Sequence, residues 1–359
     1  MIFNMPVKVY QEKDAVLNRR EEISALGSKA MIVTGKNSSK KNGSLSDLTD
    51  ALDKTGVSYV IFDDIEENPS VETVMKAREI GVNEGVDFCI GLGGGSPLDA
   101  AKAIALMIKN KDKGWEYMYD KSQGTSFIPV ACIPTTCGTG SEVTGVSVIT
   151  RKELETKMSL PHRIFPSLAL VDGKYLYSCP RSVIANTAMD ALAHMYESYI
   201  NKASTPYSEM FVNQGITLWS KEKDILTGVR EGEPCDYDNL LTASTLAGMA
   251  IAHTGTSLPH GLSYNITIAL NVRHGVAVSL FQAGFMEQAP KEMREHLLKL
   301  SGFKNTDEFI SFFNEVCAPP EIPKEYKEAA ALAMFQKKEK LMQVPYEVTE
   351  ETLRKIVFR

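Results

Sequence analysis

The sequence predicts an α/β domain built on a parallel sheet, followed by an all-α domain. Short β-branched runs alternate with helical patterns through Val171, strand signals then become sparse, and from Pro180 onward the periodicity is helical. The interruption Ser178-Cys179-Pro180-Arg181 marks the change, so the expected domains are 1–179 and 180–359. A chain of 359 residues is long enough for two cores.

In the first half, Ala30–Thr34, Ser58–Phe62, Phe88–Leu92 and Phe127–Cys132 read as buried strands, followed by Val146–Thr150 and Leu168–Val171. Leu45–Thr55, Ser70–Gly85 and Pro97–Ile108 read as the helices between them. In the second half, Arg181–Ile200, Asp238–His253, Leu258–Leu270 and His274–Gln288 read as four helices. Ser301–Arg359 is helical and charged, and carries no recognisable chemistry.

A net charge of −6 argues against nucleic acid or an acidic membrane surface as a main partner. Residues 239–272 contain no Lys, Arg, Asp or Glu, which raises the question of a membrane span. Gly248, Gly255, Pro259 and Gly261 punctuate that run, so it reads as a buried core around a polar site. The N-terminus, MIFNMPVKVYQEKDAV, carries charges where an apolar leader would run, and the six cysteines show no C-x-x-C pair. A cytoplasmic protein with reduced thiols and a small-molecule substrate is expected, and a homodimer is the default assembly.

Gly93-Gly94-Gly95-Ser96 follows a predicted strand and opens a predicted helix, with Ser96 expected at the N-cap, Pro97 at the first helical position and Asp99 at the third. Consecutive glycines let backbone approach a bulky anion, and a helix N-terminus offers free N–H groups. This is a phosphate or pyrophosphate cradle, although Ser96 stands where the usual dinucleotide fingerprint has its third glycine. A second polar loop, from Pro134 to Thr144, includes Thr135, Thr136, Thr139 and Ser141 and suits contacts to a ribose, a base edge or an amide.

Asp190 and His194 lie four apart in a helical pattern and so share one face. His260 lies in the charge-free stretch and His274 just beyond it. One carboxylate and three imidazoles make a four-ligand set suited to a divalent first-row metal.

Together, GGGSPLDAAKAIA at 93–105, IPTTCGTGSEVT at 133–144, MDALAHMYESY at 189–199 and the spaced His260 and His274 resemble the iron-containing (group III) alcohol dehydrogenase family, with a flavour of its butanol and 1,3-propanediol dehydrogenases. The resemblance implies an NAD(P)-dependent enzyme with an N-terminal dinucleotide-binding domain and a helical metal-binding domain. Asp190, His194, His260 and His274 would be the ligands of Fe(II), with Zn(II) as the alternative. The Gly93–Ser96 turn would hold the pyrophosphate, Thr135, Thr136 and Thr139 would line the adenosine and nicotinamide side, and Lys157 would sit near the ribose. The implied reaction is hydride transfer between nicotinamide C4 and a small primary alcohol, a diol or the matching aldehyde.

Two departures from the family pattern matter. Many members carry a histidine four residues after the position of His260, often credited with proton relay, and here that position is Tyr264. Relay must then run through Tyr264, water, the cofactor ribose or another group such as His253. NAD-preferring relatives place an acid just after the first strand, where it accepts from the ribose 2′-OH. Here Gly35 takes that place and Lys36, Asn37, Ser38 and Ser39 follow, which predicts NADP(H) over NAD(H); were this segment only a solvated loop, the preference would stay open. Glycerol dehydrogenases and dehydroquinate synthases share the architecture and are the nearest rivals. A nucleotide-binding sensor without catalysis is the rival of another class.

Overall fold

The computed structural model describes residues 3–154 and 156–359, which form two compact units. One comprises Met5–Thr136 with Gly140–Cys179; the other comprises Cys137–Thr139 and Pro180–Arg359, with the N-terminal residues up to Asn4.

The first unit is built on a six-stranded sheet of β1 (Lys8–Gln11), β2 (Lys29–Thr34), β3 (Ser58–Phe62), β4 (Phe88–Gly93), β5 (Val130–Pro134) and β8 (Leu168–Val171). Their order is β1-β8-β5-β4-β2-β3, and every neighbouring pair is parallel. A parallel sheet is covered on both faces, so its central strands are apolar throughout rather than alternating. Along β2, Ala30 and Ile32 enter one core with Leu48, Leu52, Phe88 and Ile90, while Met31 and Val33 enter the other with Val74, Leu98 and Ile104. The fold class expected from the sequence is the one observed.

The edges depart from expectation. β1 reads Lys-Val-Tyr-Gln, with Lys8 and Gln11 exposed and Val9 and Tyr10 only half-buried, so it carries no buried apolar run by which the sequence could announce it. Val148–Arg151 (β6) does not join the main sheet but pairs antiparallel with β7 (Thr156–Ser159), which sequence patterning also missed. The strand expected at Phe127–Cys132 runs instead from Val130 to Pro134, and Pro129, lacking an N–H, precedes it.

The second unit is helical among the described residues. Its principal helices for the argument are Arg181–Tyr199, Pro234–Thr254, Leu258–Leu270, His274–Ser279 and Gln282–Gln288. The last two were expected as one helix. They break at Leu280–Phe281, where no glycine or proline signals a stop. Among the described residues, no helix is long and apolar enough to cross a membrane.

Candidate active site

In the first unit, β4 ends at Gly93 and the next helix spans Gly95–Lys109, so the helix begins two residues before the expected start. Gly94, not Ser96, is its N-cap. The reason is Gly93: with φ at 144° it turns the chain as a side-chain-bearing residue rarely can, and a Cβ there would lie 2.8 Å from the Pro97 ring. Ser96 Oγ, freed from capping, accepts the Asn68 N–H at 3.1 Å. The threonine loop sits directly beside this turn. Thr135 N–H donates to the Gly93 carbonyl at 2.9 Å, and the Thr136 side chain lies 3.2 Å from where a Cβ of Gly94 would be.

Asp99 and Ser141 are occupied with one another. Ser141 Oγ donates to Asp99 Oδ1 at 2.5 Å, and the other carboxylate oxygen accepts the Val148 N–H at 2.9 Å. Lys102, fully buried, donates to the Ser141 carbonyl and hydroxyl, both at 2.7 Å, and to the Val146 carbonyl at 2.8 Å. In this arrangement Asp99 and Ser141 tie the polar loop to the glycine-turn helix, and with Gly94 as N-cap Asp99 stands at the fifth helical position instead of the expected third. Lys157 lies on β7 opposite Thr150, with its side chain buried. Thr139 groups with the second unit.

Gly35 follows β2, and a Cβ there would meet only the Ile65 carbonyl, at 3.5 Å. Asn37 precedes a one-turn helix opened by Ser38. Ser39 is buried and accepts from Thr34 Oγ1 at 2.9 Å. The loop's cations are held by acids at the end of β3: Lys36 by Asp64 at 3.1 Å and Lys40 by Asp63 at 2.6 Å.

In the second unit, helix Arg181–Tyr199 carries Asp190 and His194 on one face, as four-residue spacing requires. Ligand atoms of Asp190, His260 and His274 all lie within 4.8 Å of one another. His260 Nε2 stands 3.5 Å from Asp190 Oδ1, and His274 Nε2 stands 3.9 Å from the same oxygen. Asp190 Oδ1 and His260 Nε2 are buried and have no hydrogen-bond partner. Two ligand atoms at ordinary metal distances and near-tetrahedral angles stand about 3.4 Å apart. Buried ligand atoms without a hydrogen-bond partner at this spacing therefore fit a metal ion far better than they fit a dry core. The His274 side chain is 29% exposed while Asp190 and His260 are buried, so the cluster opens on the His274 side.

His194 is not part of that group of three. Its ring stacks on that of His260 with centroids 4.4 Å apart, and its Nδ1 lies 3.2 Å from the Gly138 carbonyl. A carbonyl only accepts, so Nδ1 carries the proton and Nε2 keeps its lone pair. Tyr264 lies beside His274, ring centroids 6.2 Å apart. His253 is a satisfied structural residue: its Nδ1 donates to the Met249 carbonyl at 2.7 Å, and its Nε2 accepts from Asn4 N–H at 3.4 Å.

Glu197 escaped the sequence reading. It is fully buried, lies three residues after His194, and completes an i, i+4, i+7 stripe with Asp190 that could have revealed it. Its Oε1 is 2.5 Å from His260 Nδ1. Burial pulls the His260 imidazole down, but the Glu197 and Asp190 carboxylates outweigh burial and raise it to about 9. Burial pushes Asp190 up, and the three histidines outweigh that and hold it below the ordinary carboxylate range. Burial lowers His194. Asp190 is thus the one carboxylate in the group of three, and Glu197 adds a second buried carboxylate behind His260.

A model of the iron-containing alcohol dehydrogenase family matches residues 6–173, and a model of the C-terminal part of the Fe-containing alcohol dehydrogenase family matches residues 184–308. The NADPH-dependent butanol dehydrogenase of Clostridium saccharobutylicum is 30% identical over 342 residues, covering 91% of this chain and 86% of that one. The NADH-dependent butanol dehydrogenase A of Clostridium acetobutylicum is 29% identical over 297 residues, covering 79% and 74%. The crystal structure of an iron-containing alcohol dehydrogenase from Thermotoga maritima superposes with a TM-score of 0.91 at 36% identity, covering 99% of this chain and 98% of that one. Both halves of the chain, its motifs and its fold agree, and the chain belongs to the iron-containing alcohol dehydrogenase family.

Proposed function

We propose that this chain is a metal-dependent, NADP(H)-linked alcohol dehydrogenase and aldehyde reductase acting on small primary alcohols, diols and their aldehydes. The observation that carries the reading is the convergence of Asp190, His260 and His274, with two buried acceptor atoms lacking any other partner. Asp190, His260 and His274 would hold Fe(II) or Zn(II), with His194 Nε2 as fourth ligand. When bound, the metal supplies Lewis-acid polarisation of the substrate oxygen, and the nicotinamide supplies or accepts the hydride.

The chain's own residues bind and orient. The Gly138 carbonyl fixes the His194 tautomer, leaving Nε2 free to act as a ligand. We assign proton passage to the Tyr264 hydroxyl, supported by its ring lying beside that of His274. The Gly93–Ser96 turn and Thr135–Thr136 would bind the dinucleotide in the first unit, supported by their direct contact. Lys157 near the ribose and Thr139 near the nicotinamide remain part of this assignment, on the strength of the family motifs. The NADP(H) preference rests on the missing carboxylate at Gly35, since Lys36 and Lys40 are already paired with acids. The butanol dehydrogenases among the relatives favour small aliphatic substrates. A cytoplasmic homodimer completes the reading.

The test is turnover of metal-stripped protein with NADPH and butyraldehyde, with Fe(II) or Zn(II) restored anaerobically and the assay repeated with NADH. Metal-dependent NADPH oxidation, with NADH clearly poorer, is expected. Full turnover without metal refutes the assignment, as does full turnover of the His274→Ala protein.

A further inference from the structure

We infer that Glu197 is a positioning residue for the metal centre, fixing His260 in the one tautomer and orientation that presents a ligand nitrogen toward Asp190. This rests on the metal reading above and extends it.

The two oxygens of Glu197 have separate tasks. Oε2 accepts the Ser257 N–H at 2.6 Å and approaches the His260 N–H at 3.5 Å. Ser257 is the N-cap of helix Leu258–Leu270, and its own side chain caps nothing, so Oε2 serves as the missing cap. Oε1 serves the imidazole: it lies 2.5 Å from His260 Nδ1 and accepts from Gln282 Nε2 at 3.0 Å. A carboxylate only accepts, so the Nδ1 facing it donates; in the neutral ring that a metal ligand must be, the proton kept is the one on Nδ1 and the one shed is on Nε2. The Nε2 lone pair is then left on the side of Asp190 Oδ1, 3.5 Å away, where it has no hydrogen-bond partner.

Nothing else in the described surroundings performs this task. The His260 ring is stacked on His194 and set edge-on to His274, contacts that restrain its plane but cannot choose its tautomer. The break at Leu280–Phe281 has a consequence here, because it opens the short helix that begins with Gln282, the residue that donates to Oε1. A carboxylate donating electron density through Nδ1–H also makes Nε2 a stronger ligand.

The experiment compares wild type, Glu197→Gln and Glu197→Asp, each stripped of metal and titrated with Zn(II). Three quantities are read: metal affinity by competition with a chelator, NADP(H) affinity, and the difference in melting temperature between metal-loaded and metal-free protein. For Glu197→Gln, a metal affinity loss of about 10–100-fold is expected. The metal-induced rise in melting temperature should shrink, NADP(H) affinity should hold, and Glu197→Asp should recover part of the loss. A helix cap alone would lower metal-free and metal-loaded stability equally and leave the affinity unchanged, and that result overturns the inference while sparing the metal reading. If Asp190→Asn binds metal as well as wild type, the metal reading itself fails, and the inference with it. Should Glu197→Gln not fold, histidine-labelled wild type loaded with Zn(II) decides by nitrogen NMR: a protonated Nδ1 on His260 is required, and an unprotonated one overturns the inference.

Discussion

Replacing Lys102 with methionine tests whether the polar loop and the glycine-turn helix are held together by one buried charge. Methionine keeps most of the apolar stem and removes the ammonium. That ammonium donates to the Ser141 carbonyl, Ser141 Oγ and the Val146 carbonyl at 2.7–2.8 Å, and lies 3.7 Å from Asp99 Oδ1. Each lost bond to a charged donor is worth about 1.5–3 kcal/mol, partly offset because the ammonium itself no longer has to be desolvated. Stripping one partner from a buried ion pair costs roughly 3–5 kcal/mol. An expected loss of about 3–4 kcal/mol is a large share of the roughly 5–15 kcal/mol that holds a typical domain folded. Burial raises the Asp99 carboxyl above its ordinary range, and the Lys102 charge only partly opposes that. A folded pKa above the unfolded value means that ionising Asp99 costs stability as pH rises, and removing Lys102 enlarges that cost. Urea unfolding followed by circular dichroism should therefore show K102M closer to wild type at pH 5 than at pH 8. A loss under about 1 kcal/mol at pH 8, or one independent of pH, refutes the reasoning.

Gly275→Ala should damage the metal site without touching a ligand. A Cβ there would lie only 2.0 Å from the Asn186 backbone carbonyl, so helices Arg181–Tyr199 and His274–Ser279 must separate. A loss of about 2–3 kcal/mol in thermal unfolding, together with weaker metal retention, is expected. Glu222→Gln should stabilise the protein at high pH only. Burial, opposed by the Asn239 hydrogen bond and reinforced by Asp236, pushes Glu222 up from 4.5 to about 7, so its ionisation costs stability that is fully felt above that value and absent below about 4.5. Melting curves should coincide near pH 4.5 and favour the variant by about 1 kcal/mol at pH 8, the gain being reduced by weaker bonds to Arg230 and Asn239. Gly35→Asp should shift the cofactor preference from NADPH toward NADH by at least about tenfold in kcat/KM. A Cβ there is in ordinary contact with the Ile65 carbonyl at 3.5 Å, and steady-state kinetics with both cofactors would read the shift.

Much of the site was legible because its signals are local or unusual. Asp190 and His194 announce a shared face by spacing alone, and a histidine inside a run without charges demands a partner. The strand-to-helix glycine turn was legible to within two residues. What failed was the assumption that Ser96, a good capping residue, would cap; the unusual backbone of Gly93 started the helix earlier. Ser141 reads from the sequence as a residue suited to cofactor contacts, and the structure adds a bond to Asp99 that the sequence does not announce. Whether two polar side chains face a ligand or each other depends on packing across 42 residues of chain, which no window of sequence can see.

By itself, the sequence determined the fold class, the places of most buried strands along the chain and the metal-ligand candidates. Apolar periodicity is a property of neighbouring residues, and so survives without knowledge of the fold. Only the tertiary structure decided which partner each buried polar group would take. Glu197 meets His260 across 63 residues of chain, and Lys102 meets Ser141 across 39. A buried charge has no preference written into its immediate neighbours. It is satisfied by whichever donor or acceptor the packed helices and loops bring within about 3 Å, and that choice belongs to the fold.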